Sequence, residues 1–343
     1  AVPLQALSSP SNESLVLSAE VMAVNNTPPV TNDALFWLEK VARAANTTSF
    51  SGVYTYGIDS EWGSAHVEHR WYEGEAYRKT IYLTGYPRTM VHVGNITRCL
   101  HKGQHPANLS HDVFHPIELA LRQSGGELLE NYRVTMDMTP LRIAGYNSFQ
   151  MSILPKISDR YGYHVWLEEN SGLPMRVDVL DEKNKLIRIY QFAEVTIGED
   201  IPLSLFNLEG PGHFVSLPVK DNEADSRSGS NLMISKHWQP AYLPSGFKAV
   251  SDPVVMEQNK RHHQRFSDGL SQFSLFVDRL DSGKPITLDQ SMGPSSAAIR
   301  STYKDEELYR IIVVGELPLT TASKIADSVV QADTPIATQS IGH

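Results

Sequence analysis

Two groups of side chains in this sequence have the residue types for chemistry. The first follows the only cysteine: Cys99, then His101, His105, His111 and His115. Thiolate and imidazole both ligate zinc. The spacing is not that of a zinc finger and the stretch is loop-like in composition, so surface histidines are the expectation and no metal is assigned. The second is Ser267-Asp268-Gly269, a hydroxyl beside a carboxylate, preceded by His262-His263. Asp-Gly between two strand-like runs reads more simply as a hairpin turn. The two histidines lie in a strand-like run that sends their rings to opposite faces, which argues against a shared metal. A pH-sensing role for either stays open, near an imidazole pKa of ~6.5. There is no G-x-S-x-G elbow, no H-E-x-x-H and no P-loop. No carboxylate pair stands out among 39 acidic residues. The chain is therefore read as a non-enzyme with no cofactor.

Composition narrows the field further. Of 343 residues, 41% are hydrophobic and 20% charged, a globular balance with length for two domains. The net charge, 30 − 39 = −9, argues against nucleic acid as a main partner. One cysteine excludes an internal disulfide and says nothing of redox compartment. No apolar run approaches the ~18 residues that span a bilayer. The first residues lack a basic region and an apolar core, so no signal peptide is expected in this chain, and whether one was removed is open.

The elements that must position any site are mostly strands. Arg160–Pro202 reads as a β-meander. Tyr163–Glu168, Met175–Leu180 and Leu186–Phe192 alternate with period two, and Glu-Asn-Ser-Gly-Leu-Pro and Asp181–Asn184 form the turns between them. Before it, Asp33 is a candidate cap for a helix over 33–45 whose apolar face is Leu35, Leu38, Val41 and Ala42. Strands are expected at Phe50–Tyr56, Ala65–Tyr72, Ala76–Leu83, Thr89–Val93, Ile96–His101, Tyr132–Met138, Leu141–Ala144 and Tyr146–Leu154. A short helix, Pro116–Ser124, should end at Gly125-Gly126. Residues 1–30 read as a flexible lead-in, 31–209 as the first domain and 210–231, rich in Gly, Pro, Ser and charge, as a flexible linker. Residues 232–333 read as a smaller α+β domain, with strands at Val250–Met256, Arg261–Phe266, Ser271–Asp278, Ala298–Thr302 and Leu308–Val314, a Thr320–Val330 helix, and a tail at 334–343.

Aromatic and methionine residues on the first domain's strands admit two readings. Tyr54, Tyr56, Trp71, Tyr82, Met136, Met138, Phe149, Met151 and Tyr163 either pack a core or line an apolar cleft left by a sheet too open to fill itself. Flexible Met and aromatic walls suit an acyl chain. Trp238, Tyr242, Phe247, Phe273 and Phe276 of the second domain face the same choice between core and partner contact.

Longer motifs carry a resemblance. The run Y-x-V-W-L-E-x-x-S-G-L-P-M-R from Tyr163 resembles the closing hairpins of the LolA/LolB lipoprotein-carrier fold. W-x-x-x-Y-L-P-S-G-F at Trp238–Phe247 and R-F-S-D-G-L-x-x-F-S-L-F-V at Arg265–Val277 resemble the C-terminal signatures of the RseB/MucB family. D-A-x-x-W-L at Asp33–Leu38, F-x-G-V-Y-x-Y at Phe50–Tyr56 and Val67-Glu-His69 fit the same family. The resemblance implies a LolA-like curved antiparallel sheet, a half-barrel with packed helices and an apolar concavity, joined to a smaller α+β domain. It implies a periplasmic negative regulator of the sigma-E envelope-stress response. That regulator would bind the periplasmic part of a membrane-spanning anti-sigma factor, shield it from site-1 proteolysis, and release it when lipid or lipopolysaccharide binds. A homo-oligomer is compatible with it. The alternative is a periplasmic lipid or lipoprotein carrier, suggested by the first domain alone; a secreted hydrolase has no motif behind it.

Overall fold

The computed structural model describes residues 32–58, 61–94, 96–101, 125–209, 212–216, 236–250, 254–256 and 261–333. The first element is α1 (Asn32–Thr47). Its buried residues are Ala34, Trp37, Leu38, Val41 and Ala44, at helical spacing. Leu38 and Val41 of the expected face are buried, but Leu35 is 40% exposed: the face turns toward Trp37, which meets Phe149 edge-on at 5.7 Å. Asp33 lies within the helix rather than capping it.

Strands follow in close succession: β1 (Phe50–Ile58), β2 (Glu61–Tyr72), β3 (Glu75–Tyr82), β4 (Arg88–Val93) and β5 (Ile96–His101). After α2 (Gly125–Asn131) come β6 (Tyr132–Ile143), β7 (Tyr146–Pro155), β8 (Gly162–Glu168), β9 (Pro174–Leu180), β10 (Leu186–Ile197) and β11 (Gly212–Ser216). They form one open sheet of 11 strands in the order β11-β5-β4-β3-β2-β1-β10-β9-β8-β7-β6. Every adjacent pair is antiparallel, as short loops require. The turn between β8 and β9 is held by Glu168, whose carboxylate accepts the Asn170 and Ser171 backbone N–H groups at 3.0 and 2.6 Å. Burial pushes that carboxyl upward in pKa, but the Ser171 and Asn170 hydrogen bonds prevail and hold it below its usual value.

Three readings of this region are corrected. Gly125-Gly126 begins α2 instead of ending a helix; the expected Pro116–Ser124 helix lies outside the described residues. Residues 132–143 form one strand with an irregular register between Asp137 and Leu141, not two strands. Gly212–Ser216, read as linker, adds β11 to the free edge of β5, with His213 opposite Cys99 and Phe214 opposite Arg98. A short run with Phe and Val at an open edge pairs despite its Gly/Pro flank.

The second, smaller domain holds β12 (Lys236–Pro240), β13 (Lys248–Ala249), β14 (Val254–Met256), β15 (Arg261–Ser267) and β16 (Gln272–Leu280). It continues with β17 (Leu288–Met292), β18 (Ser295–Lys304), β19 (Glu307–Gly315), α3 (Leu319–Asp327) and β20 (Val329–Asp333). Its sheet runs β13-β15-β16-β19-β18-β17, with β14 also on β15, and β12 pairs with β20 apart from it. The C-terminal helix is shorter than expected. It starts after Pro318 and stops at Asp327, because the β-branched pair Val329-Val330 takes up pairing with Pro240 and Gln239. Edge strand β17 and strand β12 were not foreseen in the sequence. The core under α3 contains Phe266, Phe273, Leu275, Val277, Ala298, Val313, Ala322 and Ile325.

Candidate functional sites: the inner face of the large sheet and the outer face of the small one

Register brings the first-domain candidates to one face. Gly63, Tyr56, Tyr190, Val177, Val165, Met151 and Met136 are successive partners across β2, β1, β10, β9, β8, β7 and β6. A parallel ladder runs from Tyr82 through Ala65 and Tyr54 to Phe192. Tyr163 faces Ile153, Phe149 faces Leu167, and Trp71 shares the alternation of Ala65, so all belong to this inner face. Gly63 leaves room for a close approach: a methyl there would collide with the Tyr56 ring.

Burial divides these residues. Tyr54, Tyr82, Met151 and Tyr163 are buried, the first, third and fourth inside the main core. Tyr56, Met136 and Phe149 are half-buried against it, and Trp71 is half-buried. Met138 lies beyond Asp137, where pairing becomes irregular, and is 48% exposed. The face is thus a packed core toward β7–β9 and less filled toward β3–β5, where Tyr82, Met90 and Cys99 make a small separate cluster.

Two arginines in this region escaped the sequence reading. Arg88 stacks its guanidinium 3.7 Å from the Tyr82 ring centre. Arg188, opposite Val179, reaches toward Gly293 of the second domain. Neither Nε has a hydrogen-bond partner, and neither guanidinium pairs with a carboxylate among the described residues. Tyr56 lies within electrostatic reach of both; burial raises its pKa and the two arginines pull it down. Period-two alternation from Arg88 to Met90 was the available signal, but it could not show that the face was inward. Burial likewise pushes the Cys99 thiol up, against the field of Arg88. His105, His111 and His115 lie outside the described residues, as does the side chain of His101; no group of metal-ligating side chains occurs among the described ones.

The second-domain candidates also separate. Phe273 is 2% exposed and stacks on Phe266 at 4.9 Å, and Trp238 packs on Tyr309 at 4.8 Å. With buried Phe247 these are core residues, which withdraws them as partner contacts. Tyr242 is 38% exposed. Phe276 is half-buried on the opposite face, its ring stacked 4.3 Å from that of His263. Register extends this face across the sheet: His263, Phe276, Ile312, Ile299 and Leu288 are successive partners on β15, β16, β19, β18 and β17. The stripe is half-buried until Leu288, which is 49% exposed on the edge strand. It is flanked by Arg261, Asp278 and Arg310, where Asp278 accepts from both arginines at 2.6 and 3.0 Å. Burial alone would raise the Asp278 pKa, yet these bonds hold it below the usual carboxylate range. His262, as expected, points the other way and is buried.

Comparison with known proteins agrees with this two-part layout. The family model described as the MucB/RseB N-terminal domain matches residues 33–209, and that of the MucB/RseB C-terminal domain matches residues 234–330. The chain is 24% identical over 326 residues to the sigma factor AlgU regulatory protein MucB of Pseudomonas aeruginosa, covering 92% of this chain and 96% of that one. It is 26% identical over 323 residues to the sigma-E factor regulatory protein RseB of Escherichia coli K12, covering 92% and 94%. Among solved structures, the MucA/MucB complex of Pseudomonas aeruginosa superposes with a TM-score of 0.68 at 21% identity, covering 88% of this chain and all of that one (100%). A crystal structure of MucB gives 0.66 at 22% identity, covering 88% and 99%. With both halves matched in order over most of its length, the chain belongs to the MucB/RseB family.

Proposed function

We propose that this protein is a periplasmic negative regulator of an envelope-stress sigma factor. It binds the periplasmic part of a membrane-spanning anti-sigma factor and shields that segment from site-1 proteolysis; a lipid or lipopolysaccharide on the inner face of the large sheet relieves the protection. The observation that carries the reading is the tandem family match at 33–209 and 234–330, in a chain aligned along most of the length of relatives named as sigma factor regulators. The same match supports a regulatory, binding role.

The second domain offers a surface suited to such a partner. Strand β17 is an exposed edge, and the Phe276–Leu288 stripe opens beside it. A segment disordered when free can add as a strand to that edge and lay its apolar side chains along the stripe. Ordering it costs several kcal/mol, so micromolar affinity is expected. The inner face of the first domain supplies tyrosine, methionine and the Arg88 and Arg188 guanidinium groups, a wall for an acyl chain with an anionic head. A lipid carrier would need this face alone and leaves the second domain without a task.

The test is a calorimetric titration of the full chain with the periplasmic segment of a membrane-spanning anti-sigma factor from the same organism. Micromolar binding, weakened about tenfold in the Phe276→Ala/Leu288→Lys double variant with melting nearly unchanged, is expected. Absence of binding by the wild type overturns the proposal.

A further inference from the structure

The Ser267–Ser271 turn, which the sequence presents as a plain hairpin, leaves its own domain. Leu270 packs in the first domain's core, with Tyr132, Tyr161 and Tyr163 in the same cluster. Asp268 gives its two carboxylate oxygens different tasks. Oδ1 accepts the backbone N–H groups of Leu270 and Ser271 at 2.9 and 2.7 Å, which fixes the turn. Oδ2 accepts from Arg160 Nη1 at 2.6 Å and from the Tyr132 hydroxyl at 2.8 Å, both in the first domain.

Arg160 is itself saturated across the junction. It donates to Asp159 at 2.7 Å and to the Ser245 carbonyl at 2.6 Å, and its guanidinium lies 5.1 Å from the Phe247 ring centre. The side chains of Arg160 and Asp268 are 2% and 0% exposed. Around them Tyr161 donates to the Leu317 carbonyl at 2.8 Å, Thr321 donates to the Asp159 carbonyl at 2.8 Å, and the hydroxyls of Tyr163 and Ser271 lie 3.5 Å apart. Gly246, at φ +81°, lets the second domain close on the Asn131 amide, which a methyl group would overlap.

A buried ion pair adds little net stability compared with apolar packing, and removing one partner leaves the other charge buried and uncompensated, so the two sides of the junction hold or part together. Leu270 sits in the core whose strands bear the proposed ligand face. We propose that the Ser267–Ser271 turn is a releasable latch: closed, it locks the two domains into one body and fills the first domain's core with Leu270; a ligand acyl chain entering that core excludes Leu270 and opens it. The second half of this statement rests on the lipid reading above.

The test uses the full chain, with D268N and L270A. An asparagine has one acceptor oxygen and cannot hold both the turn and Arg160. Because the uncompensated Arg160 in D268N can disrupt more than the latch, L270A, which changes no charge, carries the same prediction. The wild type should melt in one calorimetric transition and both variants in two, with far-UV circular dichroism unchanged. Lauroyl lysophosphatidylcholine, below its micelle concentration, should bind L270A about tenfold more tightly, as expected when a competing closed state is emptied. A single wild-type-like transition in both variants overturns the latch. Equal, measurable affinity in the wild type and L270A overturns the competition. Two transitions with no probe binding by any protein overturns the lipid reading and supports the lock alone.

Discussion

Phe273 and Phe276 differ by three positions on one strand, and that odd spacing gives them opposite fates. Replacing Phe273, stacked on Phe266 and tilted against Phe247, should cost about 3–5 kcal/mol of stability in denaturant titrations. Replacing Phe276 should cost much less and instead weaken partner binding, a contrast that equal losses would refute. The opposition was legible from alternation; which ring was core was not, because that depends on α3 covering one side of the sheet. Asp268 shows a different limit. Its Asp-Gly turn was plain in the sequence, but its partner Arg160 lies 108 residues away and no local pattern announces it. The tyrosines of the junction give a pH signature. Burial pushes Tyr161 up to about 12, while Tyr132 and Tyr163 lie well above the ordinary phenol, chiefly through burial. Each binds its proton more tightly folded than unfolded, so their contribution is complete below pH ~10 and falls as the pH rises from there toward 12. Melting temperature should decline over that range, and less steeply in Tyr161→Phe; an identical decline would remove Tyr161 from the account.

Elements whose neighbours are close in sequence were readable, and those that depend on remote pairing were not. The β8–β9–β10 meander follows from two tight turns, and the chain adopts it in that order. Strands β11 and β20 exist because a distant edge was free, β5 for the one and β12 for the other. Helix α1 was found by its period, yet its face was displaced, since Trp37 meets Phe149 and carries Lys40 4.5 Å above its ring. The displacement is testable. Trp37→Ala should lose about 3–5 kcal/mol and Leu35→Ala under ~1 kcal/mol in urea unfolding. The reverse ranking would restore the face that periodicity alone suggests. At the candidate sites, period two brought eight of the nine named residues to one face, Met138 excepted, but could not tell filled core from open wall, and it passed over Arg88 and Arg188 entirely.

For the whole molecule, two sheets with their own cores are joined by a buried polar junction, the arrangement through which the proposed ligand and partner would be coupled. After cleavage at a protease site engineered between residues 217 and 235, the two fragments should still co-elute in gel filtration, held by Leu270 in the first domain's core together with the Arg160–Asp268 junction; fragments that separate at once would mean that the connection is the chain alone. The central claim is protection of the anti-sigma segment, and the most direct measurement is the rate at which a purified site-1 protease cleaves that segment as this protein is added. The account predicts a rate that falls saturably with wild-type protein and is largely restored by Phe276→Ala/Leu288→Lys. A cleavage rate unchanged at saturating wild-type protein would contradict it.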